Sequence, residues 1–305
     1  MPLAPQPIPY QGSKRRQVPV ILRVLPGDTD TLYEPFVGSG AVTIGAAMAG
    51  AARRFVMGDT LRPLAGIWQQ ILGSPGELCD EYEQLWTAQL GDPRAYFDRV
   101  RASFNGDPRP AALLYLIARC VKNAIRFNAE GQFNQSPDRR RLGMRPALLR
   151  SRVMAVHALL SNRAKAICAD YAESLQRALP ADVVYMDPPY MGVSGPRDAR
   201  YHQGLDYDRF VRALEDANRR GVSYLVSFDG RCGERTYGPG LPASLGLSKM
   251  EVPMGRSSQS TLSGRAEETI ESLYLSPALE ARLPGRARPS ASRAGRARSS
   301  PAARG

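Results

Sequence analysis

Four consecutive residues near the middle of the chain, Asp187-Pro188-Pro189-Tyr190, combine a carboxylate, two rigid backbone units and an aromatic ring. They follow residues 183–186, a continuous apolar stretch typical of a central strand covered on both faces. The two prolines lack backbone N–H donors and exclude both a helix and a continued ladder, so the strand must end at the acid. Open α/β sheets bind ligands at this edge, which makes Asp187 a candidate for binding or catalysis. The alternative is a strand-capping Asp followed by a proline turn and a core Tyr.

A glycine-rich turn near the start of the chain joins a predicted strand to a predicted helix. In TLYEPFVGSGAVTIGAAMAG, residues 31–50, the strand ends at Glu34-Pro35-Phe36 and the turn is Gly38-Ser39-Gly40. Glycine lets the backbone approach a ligand closely, and a helix N-terminus offers free N–H groups. The turn lacks the Gly-Lys-Ser/Thr ending of a phosphate loop and the third glycine of a dinucleotide fingerprint. The alternative is a glycine turn that serves packing alone.

Acidic residues also end the next two predicted strands. RRFVMGDT ends on Asp59, where nucleoside-binding α/β folds hold a ribose, because two vicinal hydroxyls match one carboxylate; an ordinary strand-end Asp is the alternative. AKAICADY predicts a third strand that ends at Asp170, the run before Asp187 is the fourth, and GVSYLVSFDG is the fifth. Strands that alternate with helices predict an α/β fold with a mainly parallel sheet.

Two stretches depart from this alternation. Helical patterns dominate residues 68–161, which include the polar, basic segment IRFNAEGQFNQSPDRRRLGMRPALLRSR. Arg and Asn side chains fit guanine and adenine edges, although a charged loop is often merely solvated. Residues 281–305 hold seven arginines and no acid, a composition that cannot bury enough apolar surface to order itself. We predict a discontinuous catalytic domain at 1–67 and 162–279, a helical insert at 68–161 and a disordered Arg-rich tail at 280–305.

Composition narrows the class of protein. The chain has 305 residues, with 41 Lys and Arg against 29 Asp and Glu and a net charge of +12. This excess and the basic tail suit a nucleic-acid partner, although a solvated extension explains the tail equally well. Four dispersed cysteines and two histidines argue against a disulfide scaffold and a zinc site, so we expect no metal. The start of the chain does not resemble a signal peptide, and no stretch has the roughly 18 apolar residues of a membrane span. We expect a cytoplasmic protein that does not bind membranes.

Four separated stretches, in this order, resemble motifs of the Dam-like N6-adenine DNA methyltransferases (D12 class, alpha group). YQGSKRR resembles the amino-terminal cofactor motif, LYEPFVGSGAV the Phe-x-Gly-x-Gly motif, RFNAEGQFN a stretch of the target-recognition region and DPPY the catalytic tetrapeptide. The likeness covers about residues 8–276. It departs at Tyr10, where some members have Trp, and it is weak over 70–115, which leaves the target sequence open. The resemblance implies a Rossmann-like S-adenosylmethionine-dependent methyltransferase sheet with a mostly helical target-recognition insert.

The resemblance also implies roles for individual residues. Asp187 and the Pro188 carbonyl would accept the N–H bonds of an adenine amine and aim its lone pair at the sulfonium methyl of S-adenosyl-L-methionine. Tyr190 would stack on a base swung out of the duplex. The implied cofactor-binding residues are Tyr10, Lys14, Glu34, Phe36, Gly38, Gly40, Asp59, Asp170 and Asp187. Among these, Asp59 would bind the ribose hydroxyls and Asp170 the adenine amine of the cofactor. SKRR as a surface cluster that binds phosphate is the alternative for Lys14.

Double-stranded DNA is the partner that the resemblance implies. Arg126 and Asn128 are candidates for base or backbone contact, and the candidates for phosphate contact are Lys122, Asn123, Arg139, Arg140 and Arg141. We expect site-specific N6-adenine methylation in a restriction-modification or Dam-like role, and the former would add a cognate restriction endonuclease. N4-cytosine, RNA and protein-glutamine methyltransferases also methylate a planar amine, but Asp187 at the first tetrapeptide position favours adenine. A catalytically silent nucleic-acid-binding protein is the alternative from another class.

Overall fold

The fold is built on one twisted sheet of eight strands. We describe it from a computed structural model, which describes residues 4–189, 205–232, 235–237, 240–256 and 268–284. Seven strands lie in the order β3-β2-β1-β4-β5-β8-β7, and β6 pairs with β5. In chain order the strands are β1 (Thr31–Glu34), β2 (Arg54–Asp59), β3 (Ala164–Cys168), β4 (Val183–Met186), β5 (Tyr224–Cys232), β6 (Arg235–Tyr237), β7 (Ser248–Arg256) and β8 (Glu268–Leu275).

Ten α-helices lie among the described residues. They are α1 (Val18–Arg23), α2 (Ala41–Ala49), α3 (Arg62–Gly73), α4 (Pro75–Ala88), α5 (Pro93–Gly106), α6 (Pro110–Arg119), α7 (Pro146–Leu160), α8 (Tyr171–Arg177), α9 (Tyr207–Arg219) and α10 (Pro277–Ala281). Short 3-10 helices cover Lys14–Arg16, Val121–Asn123 and Ala243–Leu245. None of these described helices combines the length and hydrophobicity that a bilayer crossing requires.

The first five strands run parallel, as the alternating pattern predicts. β1 lies between β2 and β4, with Leu32 beside both Phe55 and Val183. All four residues of β1 and of β4 are buried. Burial on both faces explains the continuous apolar run of β4, whereas β1 also buries the polar Thr31 and Glu34. Because parallel strands end at one edge, Glu34, Asp59 and Asp187 come together where the chain order of the strands reverses.

Two antiparallel strands complete the sheet beyond β5. β8 pairs with β5 and β7 pairs with β8, both antiparallel. The bulge at Asp229, which adopts a positive φ of 51°, shifts the register of the pairing so that Gly230 lies opposite Glu271. The strands predicted from the sequence ended at β5, so this part of the sheet is an addition to the prediction. It brings Glu271 toward the edge where the acids lie.

The helices of the predicted insert share a core with the sheet. α3 begins at Arg62, before the predicted insert boundary at residue 68, and carries the fully buried Trp68. One continuous buried cluster joins Phe55 of β2 to Trp68 and to Tyr115 of α6. The opposite face of the sheet is covered by a second cluster that includes Phe210 of α9. The predicted insert therefore packs directly against the sheet and shares its core.

The last described helix overlaps the start of the predicted tail. α10 ends at Ala281, and the guanidinium of Arg282 donates to Pro180 O at 3.0 Å, Ala181 O at 3.1 Å and Asp28 Oδ1 at 3.0 Å. Arg282 therefore belongs to the folded body. The rest of the predicted tail, from Gly285 onward, lies outside the described residues, so its predicted disorder stays a prediction.

Candidate active site

A cavity of about 370 Å³ opens at the carboxyl edge of the parallel strands. Its volume falls within the range of small-ligand sites. The predicted site residues in its lining are Tyr10, Lys14, Glu34, Phe36, Gly38, Asp59, Asp170, Asp187 and Pro188. Tyr190 lies outside the described residues, so its predicted stacking role stays a prediction. Residues scattered along the chain from Tyr10 to Pro188 thus share one cavity.

Asp187 and Lys14 form an ion pair in the cavity wall. Lys14 Nζ lies 3.1 Å from Asp187 Oδ1, and Lys14 is only 7% exposed. Burial raises the pKa of the Asp187 carboxyl to about 6, even though the Lys14 ammonium opposes this rise. Because Lys14 is buried, the alternative that it belongs to a surface phosphate-binding cluster is wrong.

Glu271 is the second partner of Lys14 and was missed by the sequence analysis. Its Oε2 lies 2.9 Å from Lys14 Nζ and also accepts a hydrogen bond from Gln17 Nε2. Burial lowers the pKa of Lys14, but the charges of Asp187 and Glu271 outweigh burial and raise it above its ordinary value. No motif marks Glu271, because only the pairing of β8 with β5 brings it near Lys14.

The buried Glu34 and the half-buried Asp59 are acids on neighbouring strand ends. Glu34 Oε2 accepts the Thr43 N–H at 2.9 Å, which anchors the carboxylate at the N-terminus of α2. Burial raises the pKa of Glu34 to about 7 against this hydrogen bond. Asp59 accepts the N–H groups of Leu61 at 3.0 Å and Gly38 at 3.4 Å, yet burial raises its pKa to about 6. Both carboxylates thus lie in a low-dielectric site where they prefer a partner that donates hydrogen bonds.

The glycine turn serves the cavity and the core at different positions. Gly38 has a φ of +44°, and a Cβ there would lie 3.2 Å from Cε1 of Tyr10, so the Tyr10 ring lies directly over the turn. Gly40 has a φ of +63°, but a Cβ there would lie 2.5 Å from the ring of Trp68. Gly40 is thus not among the residues that line the cavity, and its described contact supports the packing alternative.

Asp170 lies at the far end of the cavity from Asp187 along the sheet edge. One carboxylate oxygen caps α8 by accepting the Ala172 N–H at 2.9 Å. The carboxylate also accepts two hydrogen bonds from Arg209, at 2.9 and 3.1 Å, and that guanidinium lies 5.3 Å from the Tyr171 ring centre. Tyr171 in turn stacks on Phe36, with ring centroids 5.6 Å apart. Arg209 lines the cavity and was not predicted.

The recognition segment, residues 120–145, borders the cavity through Ile125 and Phe127. Within it, Asn123 is engaged locally, since its side-chain amide donates to Ile117 O at 2.9 Å at the end of α6. The side chain of Asn128 accepts the Gln132 N–H at 2.7 Å and closes a turn. These two amides stabilise the segment, so contact with DNA through them would require replacing existing hydrogen bonds.

Buried Arg119 organises the basic end of the recognition segment. Its guanidinium donates to Asp138 O at 3.0 Å and to the carbonyl of Arg141. The Arg141 side chain pairs with Asp138 at 2.6 Å. The other predicted contacts that carry a positive charge are all exposed, namely Lys122, Arg126, Arg139 and Arg140. These cations are therefore open to solvent on the segment that borders the cavity through Ile125 and Phe127, as a surface for phosphate requires.

The sheet order and this cavity define the class of the protein. The features are those of a Rossmann-like methyltransferase. They are a parallel α/β sheet, a glycine turn after β1, acids at the ends of β1 and β2, and Asp-Pro-Pro at the end of β4.

Comparisons with known proteins identify the family. The model of the D12 class N6 adenine-specific DNA methyltransferases matches residues 10–229. The chain is 28% identical over 233 residues to a DNA N-6-adenine-methyltransferase of Escherichia phage P1, an alignment that covers 72% of this chain and 29% of the phage protein. It is 23% identical over 281 residues to the type II methyltransferase M1.LlaDCHI of Lactococcus lactis subsp. cremoris, covering 87% and 94% of the two chains. It is 27% identical over 228 residues to a DNA adenine methylase of Vibrio cholerae serotype O1, covering 72% and 79%.

The chain belongs to the D12 class N6 adenine-specific DNA methyltransferase family, because the family model matches well over half of it. The predicted family and the predicted class of enzyme are thereby confirmed. The alternative of a different amine substrate loses support, since the relatives named above are adenine or type II methyltransferases. The roles of single site residues stay predictions.

Proposed function

We propose that this protein transfers a methyl group from S-adenosyl-L-methionine to the N6 amine of adenine in duplex DNA, and that the cavity at the sheet edge holds both reactants. The observation that carries the proposal is the position of Asp187. Its carboxylate is half-buried, faces the same cavity as Gly38 and Asp59, and is followed by two prolines that fix the adjacent carbonyl.

Asp187 and the Pro188 carbonyl act on the target amine as hydrogen-bond acceptors. The lone pair of an exocyclic adenine amine is delocalised into the ring, so the nitrogen is a poor nucleophile. Two acceptors that hold its N–H bonds favour a pyramidal nitrogen and stabilise the positive charge that develops on it. An ionised Asp187 serves this role without acting as a strong base, because the proton can leave after the methyl group has moved.

The remaining cavity residues fit the cofactor. When bound, S-adenosyl-L-methionine supplies an electrophilic methyl group on a sulfonium sulfur. Asp59 would accept hydrogen bonds from the ribose hydroxyls, and its half-buried carboxylate, whose pKa burial raises, fits such donors. Gly38 leaves room beneath Tyr10 for close contact with the backbone, because a side chain there would push against the ring. Glu34, Phe36 and Asp170 complete the lining.

The recognition segment supplies the DNA surface. Exposed Arg139 and Arg140 on a loop fixed by Arg119 would neutralise phosphates, and Arg126 would lie near the base that enters the cavity. The target adenine must leave the duplex to reach Asp187, and Tyr190 would stack on it. A restriction-modification or Dam-like role is consistent with the names of the relatives.

Transfer of a labelled methyl group tests this function. Purified protein, cofactor with a tritiated methyl group and a duplex DNA of mixed sequence are incubated, and the digested nucleosides are separated. We expect the label in N6-methyl-2′-deoxyadenosine from duplex DNA. Label in N4-methyl-2′-deoxycytidine, or label only when RNA replaces DNA, would contradict the proposal and favour another amine substrate on this fold.

A further inference from the structure

A network of hydrogen-bonded polar side chains connects to the Lys14–Asp187 ion pair from the interior of the protein. Glu271 of β8 accepts from Lys14 at 2.9 Å and from Gln17. Ser227 of β5 donates to Gln17 Oε1 at 3.3 Å, and the Tyr185 hydroxyl of β4 lies 3.0 Å from Ser227 Oγ. Gln17 is 2% exposed and Ser227 1%. Three strands and the start of α1 thus meet at Glu271.

We infer that Glu271, oriented by Gln17, is a positioning residue that shares the Lys14 ammonium with Asp187 and so leaves the Asp187 carboxylate strong enough as an acceptor for the target amine. The inference deepens the proposed function and rests on the role assigned there to Asp187. Glu271 itself would touch neither adenine nor cofactor, because Lys14 lies between its carboxylate and Asp187.

The Lys14 cation divides its hydrogen bonds between two acids. An ammonium has three donors, and two carboxylates at 2.9 and 3.1 Å draw on it together. With Glu271 neutral, Asp187 would be the only one of these two acids to attract the Lys14 ammonium, which would hold that carboxylate more tightly. A carboxylate stabilised in this way is a weaker base and a weaker acceptor for an N–H bond, so the amine would be activated less.

Electrostatics predicts opposite shifts for the two partners. The charged or titratable groups that face Asp187 among the described residues are Lys14, Glu271 and Glu34, with Tyr185 beside Lys14. The negative charge of Glu271 raises the pKa of Asp187, and the positive charge of Lys14 lowers it. The acidic limb is the pH range in which the rate of methyl transfer falls as Asp187 is protonated. Removing the charge of Glu271 should therefore move this limb of the pH–rate profile to lower pH, and removing the charge of Lys14 should move it to higher pH.

The test is the single-turnover rate of methyl transfer to duplex DNA as a function of pH. Wild-type protein should lose activity as pH falls through about 6, the pKa of Asp187. Glu271→Gln keeps the side-chain shape, and we expect a plateau rate lower by about tenfold with the limb at lower pH. Lys14→Met should move the limb to higher pH. Glu173→Gln, a half-exposed acid paired with Arg177 outside the cavity lining, is the control and should match wild type.

A double variant shows whether Glu271 acts through Lys14. In the Lys14→Met background, adding Glu271→Gln should cost less than about twofold, because the group that transmits the effect is already gone. A full further tenfold loss, or a Glu271→Gln limb at the wild-type pH, would overturn the inference. If Glu271→Gln does not fold, Glu271→Asp decides: it keeps the charge but not the reach, so a wild-type plateau rate would refute the positioning role.

Failure of this inference is distinguishable from failure of the proposed function. Wild-type protein without methyl transfer to adenine, or Asp187→Ala with near wild-type activity, would defeat the role of Asp187 itself. If wild-type protein and Asp187→Ala behave as expected and only the Glu271 variants do not, Asp187 keeps its proposed role and Glu271 has a structural role alone.

Discussion

Three acids around the cavity have raised carboxyl pKa values, namely the buried Glu34 and the half-buried Asp59 and Asp187. Burying an ionised carboxylate without a full set of donors is unfavourable, so each of them weakens the free protein near neutral pH. Such groups cluster where a bound molecule supplies the missing donors. These acids therefore lower the stability of the free protein at a site suited to binding a ligand.

The pH dependence of unfolding should reveal Glu34. Its pKa is about 7 in the folded chain against an ordinary value of 4.5, so between these values the folded state binds more protons than the unfolded state. Stability from this group is therefore present at low pH and is lost as pH rises toward about 7. Glu34→Gln keeps an acceptor for the Thr43 N–H and removes the titration, so its stability relative to wild type should improve as pH rises through this window.

Urea unfolding of the free protein at about pH 5 and about pH 8 measures this difference. Glu173→Gln, whose carboxylate is half exposed, should show no such change between the two pH values. Parallel stability profiles for Glu34→Gln and wild type would mean that Glu34 is not the buried acid described here.

The turn between β1 and α2 combines two functions within three residues. Gly38 and Gly40 both have positive φ, but a side chain at Gly38 would meet Tyr10 in the cavity wall and one at Gly40 would meet Trp68 in the core. Gly50, at the other end of α2, has a similar φ of +65°, and a Cβ there would have nothing within 4 Å. Substitutions at the three glycines therefore distinguish three effects, namely backbone strain at Gly50, core packing at Gly40 and cavity shape at Gly38.

Alanine at each glycine should give three different results. Gly50→Ala should cost about 1 kcal/mol from backbone strain alone and leave cofactor affinity unchanged. Gly40→Ala should destabilise by about 1–3 kcal/mol more, because the Trp68 ring must move. Gly38→Ala should resemble Gly50→Ala in stability but bind the cofactor more weakly. Urea unfolding and calorimetry measure these effects, and equal stability of Gly40→Ala and Gly50→Ala would contradict the packing role.

The parts of the fold that repeat a local pattern were predictable from the sequence. The strand before Asp187 follows from an apolar run that two prolines end, and β1 with its glycine turn follows from a strand-like stretch that leads into a helix of small residues. The structure has these elements as expected. Glu271 and Arg209 were not predictable, since each reaches the site through pairing or packing between distant segments. The hydrogen bond from the Asn123 amide to the end of α6 was likewise not predictable from a polar, basic stretch, and the contact of Asn123 with DNA stays a prediction.

At the scale of the whole molecule, the sheet and the recognition helices share one core, whereas the Arg-rich end of the sequence follows the last described helix. Arg282 is bound to the folded body, so any separate role predicted for this basic segment would fall to the six arginines beyond Pro284, which lie outside the described residues. Arginines that neutralise phosphates without reading bases add affinity but no sequence preference.

Truncation after Pro284 tests this role. Each neutralised phosphate contributes about 0.9 to the slope of log affinity against log salt, so the slope should become shallower by at most about five units. The methylated sequence and the rate at saturating DNA should not change. A salt titration measures the slope, and a map of modified bases measures the methylated sequence. An unchanged slope would mean that the segment does not contribute to DNA binding.

The central claim is that Asp187 activates the adenine amine, and the single-turnover rate of Asp187→Ala on duplex DNA tests it most directly. We expect a loss of at least about a thousandfold, or about 4 kcal/mol, while the affinities for cofactor and DNA stay within a few-fold of wild type. Glu173→Gln serves as the control. A variant that keeps more than about a tenth of the wild-type rate would contradict the account.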